Sequence, residues 1–99
     1  MRYKRARLEI VCDILFFIRR SKNGAKSTHI LYKANLSVPL LQKYLKALLA
    51  DRLIYKIIIK NKRSVYKLTK HGVEFINQIK KIDKMTRIIE IFANRRIKI

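Results

Sequence analysis

The spacing of apolar residues changes twice along this chain, and the change at Leu53 constrains the fold most. Before it, apolar residues recur every three or four positions, which is typical of amphipathic helices. From Leu53 to Lys60 β-branched residues dominate and the period shortens to two, which predicts a strand. The turn is expected at 61–63 and the return strand from Val65 to Leu68. The chain is therefore predicted to be mainly α with one β-hairpin, an α+β fold.

The first helix is predicted to run from about Arg5 to Arg20. Its apolar residues cover more than one side, so we expect burial on more than one face. These apolar positions are Leu8, Ile10, Val11, Ile14, Leu15, Phe17 and Ile18.

Two further helices precede the hairpin. Ser27 or Thr28 can cap a short second helix over about 28–33. Ser37 suits the N-cap of a third helix, with Pro39 in its first turn, that continues to about Asp51. A short helix, a turn of about three residues and a longer amphipathic helix form a helix-turn-helix pattern. A hairpin directly after that pattern is a wing.

Thr69 is expected to cap a last helix running from about Lys70 to Arg95. At 1.5 Å per residue it would be roughly 40 Å long, more than the rest of the domain can cover. Its apolar stripe continues at 3-4-3 spacing through Ile82, Met85, Ile89 and Phe92, which is coiled-coil-like and predicts a homodimer interface. The sequence thus divides into a winged helix-turn-helix domain, 1–69, and a continuous dimerisation helix, 70–99.

Charge indicates the kind of partner. The chain has 25 Lys and Arg residues against 6 Asp and Glu residues, a formal net charge of +19. Such a charge repels itself in a compact domain, so an anionic partner is expected, first nucleic acid and second an anionic membrane surface. The hydrophobic fraction of 49% argues against disorder.

Cysteine content and apolar run lengths indicate the compartment. A secreted domain this small would usually carry an even set of cysteines, whereas this chain has one, Cys12. The longest clean apolar run, Ile14 to Ile18, is far too short to span a bilayer. We therefore expect a cytoplasmic protein without a membrane segment.

Duplex DNA would be contacted through cations and helix N-terminal groups, because phosphates attract positive charge and amide donors while base edges need side chains that reach into a groove. Gln42 suits adenine, whereas Lys43 and Lys46 suit phosphate or guanine. The alternative for each position is an ordinary solvated residue or a simple helix cap. The predicted DNA-contacting residues are Arg5 in a basic N-terminal arm; Lys26, Ser27 and Thr28 at the second helix; Ser37, Gln42, Lys43 and Lys46 on the third; and Lys60, Lys62 and Arg63 at the wing tip.

Several segments together resemble a known family. They are Leu31–Leu45 (LYKANLSVPLLQKYL), the pair Leu53 and Ile54, Tyr66–Gly72 (YKLTKHG) and Arg7–Ile10. They are similar to the archaeal winged-helix chromatin and regulatory proteins of the Sso-ten-a type. The resemblance implies a long C-terminal helix that pairs antiparallel with its copy and carries a DNA-binding head at each end. A homodimer on duplex DNA, associated with the nucleoid, is the expected function, as an architectural protein or a transcription regulator.

Other functions stay open or have little support. A sequence-specific repressor at a palindromic site and an RNA-binding protein are the alternatives, and the basic last helix could also lie on anionic lipid. His29 and His71 are far apart, with no Cys or carboxylate at metal-ligand spacing, so no metal or other cofactor is expected. No nucleophile–base pair or phosphate-binding Gly loop can be picked out, so we expect neither an enzyme nor a small-molecule substrate.

Overall fold

The computed structural model of the chain describes residues 7–82, except for the side chain of Lys62. The predicted positions Arg5, Met85, Ile89 and Phe92 lie outside the described residues. The helices are α1, Arg7–Arg20; α2, Ser27–Ala34; α3, Val38–Ala50; and α4, which is helical from 70 to 82 within the described range. The strands are β1, Ile54–Ile58, and β2, Ser64–Leu68, joined through a 3₁₀ turn, Lys60–Lys62. Four helices and a two-stranded antiparallel hairpin confirm the predicted winged helix.

The α1 helix supplies the centre of the hydrophobic core. Ile14 and Leu15 are fully buried, and Ile10 and Ile18 are nearly so. Leu8, expected to be buried with them, is instead 55% exposed. It lies in the first described turn of α1 and lines an open groove rather than the core.

The N-caps of α2 and α3 differ in whether a side chain hydrogen-bonds to the first turn of the helix. The N-cap of α2 is Lys26 and makes no side-chain capping bond, so the prediction that Ser27 or Thr28 caps this helix was wrong. Asn35 closes α2 in the left-handed region, at φ 53°. Ser37 is the N-cap of α3 as predicted, because its Oγ accepts a hydrogen bond of 3.4 Å from the amide of Leu40.

The first strand of the wing, β1, is shorter than the strand predicted from Leu53 to Lys60. Leu53 lies outside β1 because its amide donates to the carbonyl of Leu48, at the end of α3. Lys60 belongs to the 3₁₀ turn, where Asn61 is left-handed at φ 65°. The register pairs Ile54 with Leu68 and continues to Ile58 opposite Ser64.

A single bridge joins the wing to the segment before α2. Ala25 and Tyr66 exchange two backbone hydrogen bonds of 2.9 and 2.8 Å, from amide to carbonyl in each direction. The preceding Gly24 has φ +92°, and a Cβ there would lie 2.6 Å from a methyl carbon of Val65. Glycine is therefore needed at this position both for its backbone conformation and for space.

The α4 helix starts from a capped turn against the wing. The Thr69 hydroxyl accepts a hydrogen bond of 3.0 Å from the amide of Gly72 and itself donates to the carbonyl of Arg52. Ile76 is fully buried in the core. The first part of α4 is thus an integral part of the domain.

Candidate nucleic-acid interface

The outward face of α3 is polar and basic. Leu41, Leu45 and Leu48 point inward and are at most 5% exposed. Gln42, Lys43 and Lys46 are all exposed, as their helical spacing from the leucines requires. Their donors are therefore free to reach a ligand in front of α3.

A cleft of about 510 Å³ separates this face from the wing. Gln42 and Lys46 line it from the helix side, and Tyr66 lines it from β2. Tyr66 is 8% exposed, whereas Gln42 and Lys46 are exposed and accessible from the cleft. The remaining lining residues are Pro39, Lys43, Leu45 and Leu49.

The start of α2 offers a second polar group. Lys26, Ser27 and Thr28 are all exposed. Because Lys26 provides no side-chain cap, the first amides of α2 have no acceptor from that residue. Free amides beside a cation at a helix N-terminus can bind an anion. Ser37, at the start of α3, is also exposed, but its hydroxyl already caps its own helix.

The wing carries positive charge only. Lys60 and Arg63 are exposed at its tip, and Lys56, which sequence reasoning treated only as a strand position, is exposed along β1. Residues 53–68 contain five Lys or Arg and no Asp or Glu. The signal that could have identified Lys56 was a lysine within the otherwise apolar strand, two residues from Ile54 and Ile58.

Another groove, of about 590 Å³, lies on the opposite flank of α3. Tyr44 lines it together with Leu8 and Phe75. Tyr44 therefore lies on the flank away from the cleft that contains Gln42 and Lys46. Lys43 lines both the cleft and this groove, so the two surfaces meet at that residue.

Among residues 7–82, no group of three or more His, Cys, Asp and Glu side chains could hold a metal ion. No helix within that same range is long and apolar enough to cross a lipid bilayer.

Comparisons with known proteins agree with this architecture. A family model described as winged helix-turn-helix matches residues 4–87. A search of curated protein sequences finds no significant match. Among solved structures, Sso10a-2, a DNA-binding protein from Sulfolobus solfataricus, matches with a TM-score of 0.72 and 24% identity over 92% of each chain. The resemblance predicted from the sequence is thereby confirmed at the level of the fold.

A bacterial regulator has the same fold. MepR, a transcription regulator of the Staphylococcus aureus multidrug efflux pump MepA, matches with a TM-score of 0.72 and 20% identity over 81% of this chain. This chain spans 61% of the length of MepR. A MepR mutant bound to an oligodeoxyribonucleotide matches with a TM-score of 0.71 and 19% identity, over 81% of this chain and 61% of that one.

Proposed function

We propose that this chain, which belongs to the winged helix-turn-helix family, binds double-stranded DNA as a homodimer, mostly through phosphate contacts. The observation that carries the proposal is the convergence of exposed cations on α3, on the start of α2 and on the wing, in a chain of net charge +19. Such a protein would act in the cytoplasm on the chromosome, as an architectural protein or a transcription regulator.

The geometry of the fold supports this assignment. In helix-turn-helix proteins the early turns of the second helix enter the major groove, and here those turns present Gln42, Lys43 and Lys46. The start of α2 and the wing, which the pairing of Ala25 with Tyr66 joins, would supply further phosphate contacts beside α3. Sso10a-2 is described as a DNA-binding protein, and the MepR mutant was solved with an oligodeoxyribonucleotide.

Phosphate contacts should outweigh base reading. Five of the sequence-predicted positions with described side chains are cations, namely Lys26, Lys43, Lys46, Lys60 and Arg63. Gln42 is the one amide side chain among the predicted contacts and the main residue suited to selecting a base. We therefore favour weakly selective binding over a repressor that reads a palindrome.

The homodimer is supported by the burial gradient along α4. Ile76 is fully buried, Ile79 is half-buried and Ile82 is 63% exposed. The apolar spacing continues beyond the described residues, through Met85, Ile89 and Phe92. We propose that 1–69 is the DNA-binding head and 70–99 the dimerisation helix. The first part of this helix packs on the head, and its stripe from Ile82 onward pairs with a second copy in an antiparallel coiled coil, as the family resemblance implies.

Binding to a random-sequence duplex at increasing salt tests the function. We expect tight binding at low salt that weakens steeply as salt rises, with little change between sequences. Absence of binding to any duplex at low salt would overturn the proposal. A palindromic site bound far more tightly than random duplex would indicate the sequence-specific repressor.

Competition between duplex DNA and duplex RNA tests which of the two nucleic acids the protein prefers. The deep, narrow major groove of A-form RNA does not admit an α-helix, so duplex DNA should win. Equal competition by RNA would favour the RNA-binding alternative.

A further inference from the structure

The tip of the wing exposes apolar side chains among its cations. Ile58 is 74% exposed and Ile59, at the turn, is 42% exposed. Tyr55 is 43% exposed but lies near the base of the hairpin, opposite Lys67. Ile58 pairs across the hairpin with Ser64, whose side chain is too small to cover it. Scattered exposed apolar residues are normal, but an apolar group concentrated at the end of a projecting hairpin indicates a contact surface.

The strand register defines the direction of Ile58. Because side chains alternate along a strand, Ile58 shares a face of the hairpin with Lys56 and with Tyr66 on the partner strand. Tyr66 lines the cleft beside α3. Ile58 therefore lies on the same face as the cleft, whereas Ile59, one residue later, alternates to the other face.

The charge around Ile58 indicates which kind of partner would contact it. No acidic residue occurs in 53–68, while Lys56, Lys60 and Arg63 are all exposed around the isoleucine. A partner that fits this surface is a polyanion whose charged backbone lies close to an apolar part that an isoleucine side chain can contact. Duplex DNA has this character, because its base stack lies directly behind the two phosphate strands at the floor of the minor groove.

We propose that Ile58 is a wedge that enters the minor groove, partly unstacks one base step and bends the duplex. This inference rests on the proposed function and adds a deformation to it. Isoleucine is among the side chains that insert in this way, with kinks of about 20–90°. Lys60 and Arg63 would hold the flanking phosphates, and burial of the Ile58 side chain against the opened step would offset the loss of stacking.

Two optical measurements on the full chain test the wedge. Random-sequence duplexes containing 2-aminopurine report unstacking as a rise in fluorescence, and a donor and acceptor at the duplex ends report bending. The test variant is Ile58→Thr, which keeps a β-branched residue in the strand. The matched control is Ile59→Thr, the same change on the opposite face.

We expect the wild-type protein and Ile59→Thr to raise the 2-aminopurine signal and shorten the end-to-end distance. Ile58→Thr should bind with an unchanged salt dependence but lose at least half of both signals. Bound duplex with no fluorescence rise in the wild-type protein, or equal signals from Ile58→Thr, would overturn the wedge while leaving DNA binding intact. Failure to bind any duplex would overturn the underlying function.

Lipid is the competing partner for an apolar tip surrounded by cations. Co-sedimentation with vesicles of phosphatidylserine and phosphatidylcholine measures it directly. We expect Ile58→Thr and the wild-type protein to sediment alike. Vesicle binding that depends on Ile58, combined with DNA bending that does not, would overturn the wedge in favour of a membrane contact.

Discussion

Replacing Lys43 and Lys46 with Gln should flatten the salt dependence of DNA binding by an amount that follows from the geometry. Both side chains are exposed on the outward face of α3. If the five described candidate cations each contact one phosphate, a dimer neutralises about ten phosphates, and the slope of log K against log salt is about −9. The double variant removes about four of these contacts from the dimer, so its slope should be about −5.4.

The difference is large enough to measure by fluorescence anisotropy with a labelled random duplex. Between 50 and 200 mM salt the wild-type affinity should fall by about 10⁵, whereas the variant should lose only about 10³. A control with the same net charge replaces Lys70 and Lys81 with Gln; both are exposed on α4 and neither is among the proposed DNA contacts. Its slope should stay within about one unit of the wild-type value.

Equal flattening by the two double variants would refute the reasoning. In that case the DNA would be responding to the net charge of the protein rather than to the α3 face. An unchanged slope in the Lys43 and Lys46 variant would likewise remove α3 from the interface.

Two further predictions concern stability and assembly. Gly24→Ala should lower the free energy of unfolding by about 1–3 kcal/mol in urea titrations, because φ is +92° and the new methyl group would meet Val65; equal stability would contradict the described turn. Changing Ile89 and Phe92 together to Asp should give a monomer in analytical ultracentrifugation at concentrations where the wild-type chain is dimeric. A wild-type chain that stays monomeric at high micromolar concentration would refute the dimer.

Local patterns in the sequence were sufficient for most of the fold. Ser37 with Pro39 marks the start of α3, because a capping hydroxyl and a proline in the first turn are local signals that need no tertiary contact. The loss of helical period at Leu53 marks the wing for the same reason. The exposed positions of Gln42, Lys43 and Lys46 follow directly from the spacing of the buried leucines.

The errors have a different physical origin. Lys26 rather than a hydroxyl residue became the N-cap of α2, next to Ala25, whose backbone pairs with Tyr66. That pairing joins residues far apart in the chain and leaves no periodic signal. Leu8 fits the α1 stripe by spacing, but the stripe extends beyond the core that covers it. The spacing of apolar residues shows which face of a helix a residue lies on. It does not show how far along the helix the core covers that face.

The bridge between Ala25 and Tyr66 has a consequence for the energetics of recognition. It joins the residue just ahead of α2 to the middle of β2, so the start of α2 and the wing keep a fixed position relative to each other before any ligand arrives. A duplex would then bind to groups that are already ordered, because the conformational entropy of the start of α2 and of the wing is lost on folding and not on binding. The two backbone hydrogen bonds would then strengthen binding without themselves touching DNA.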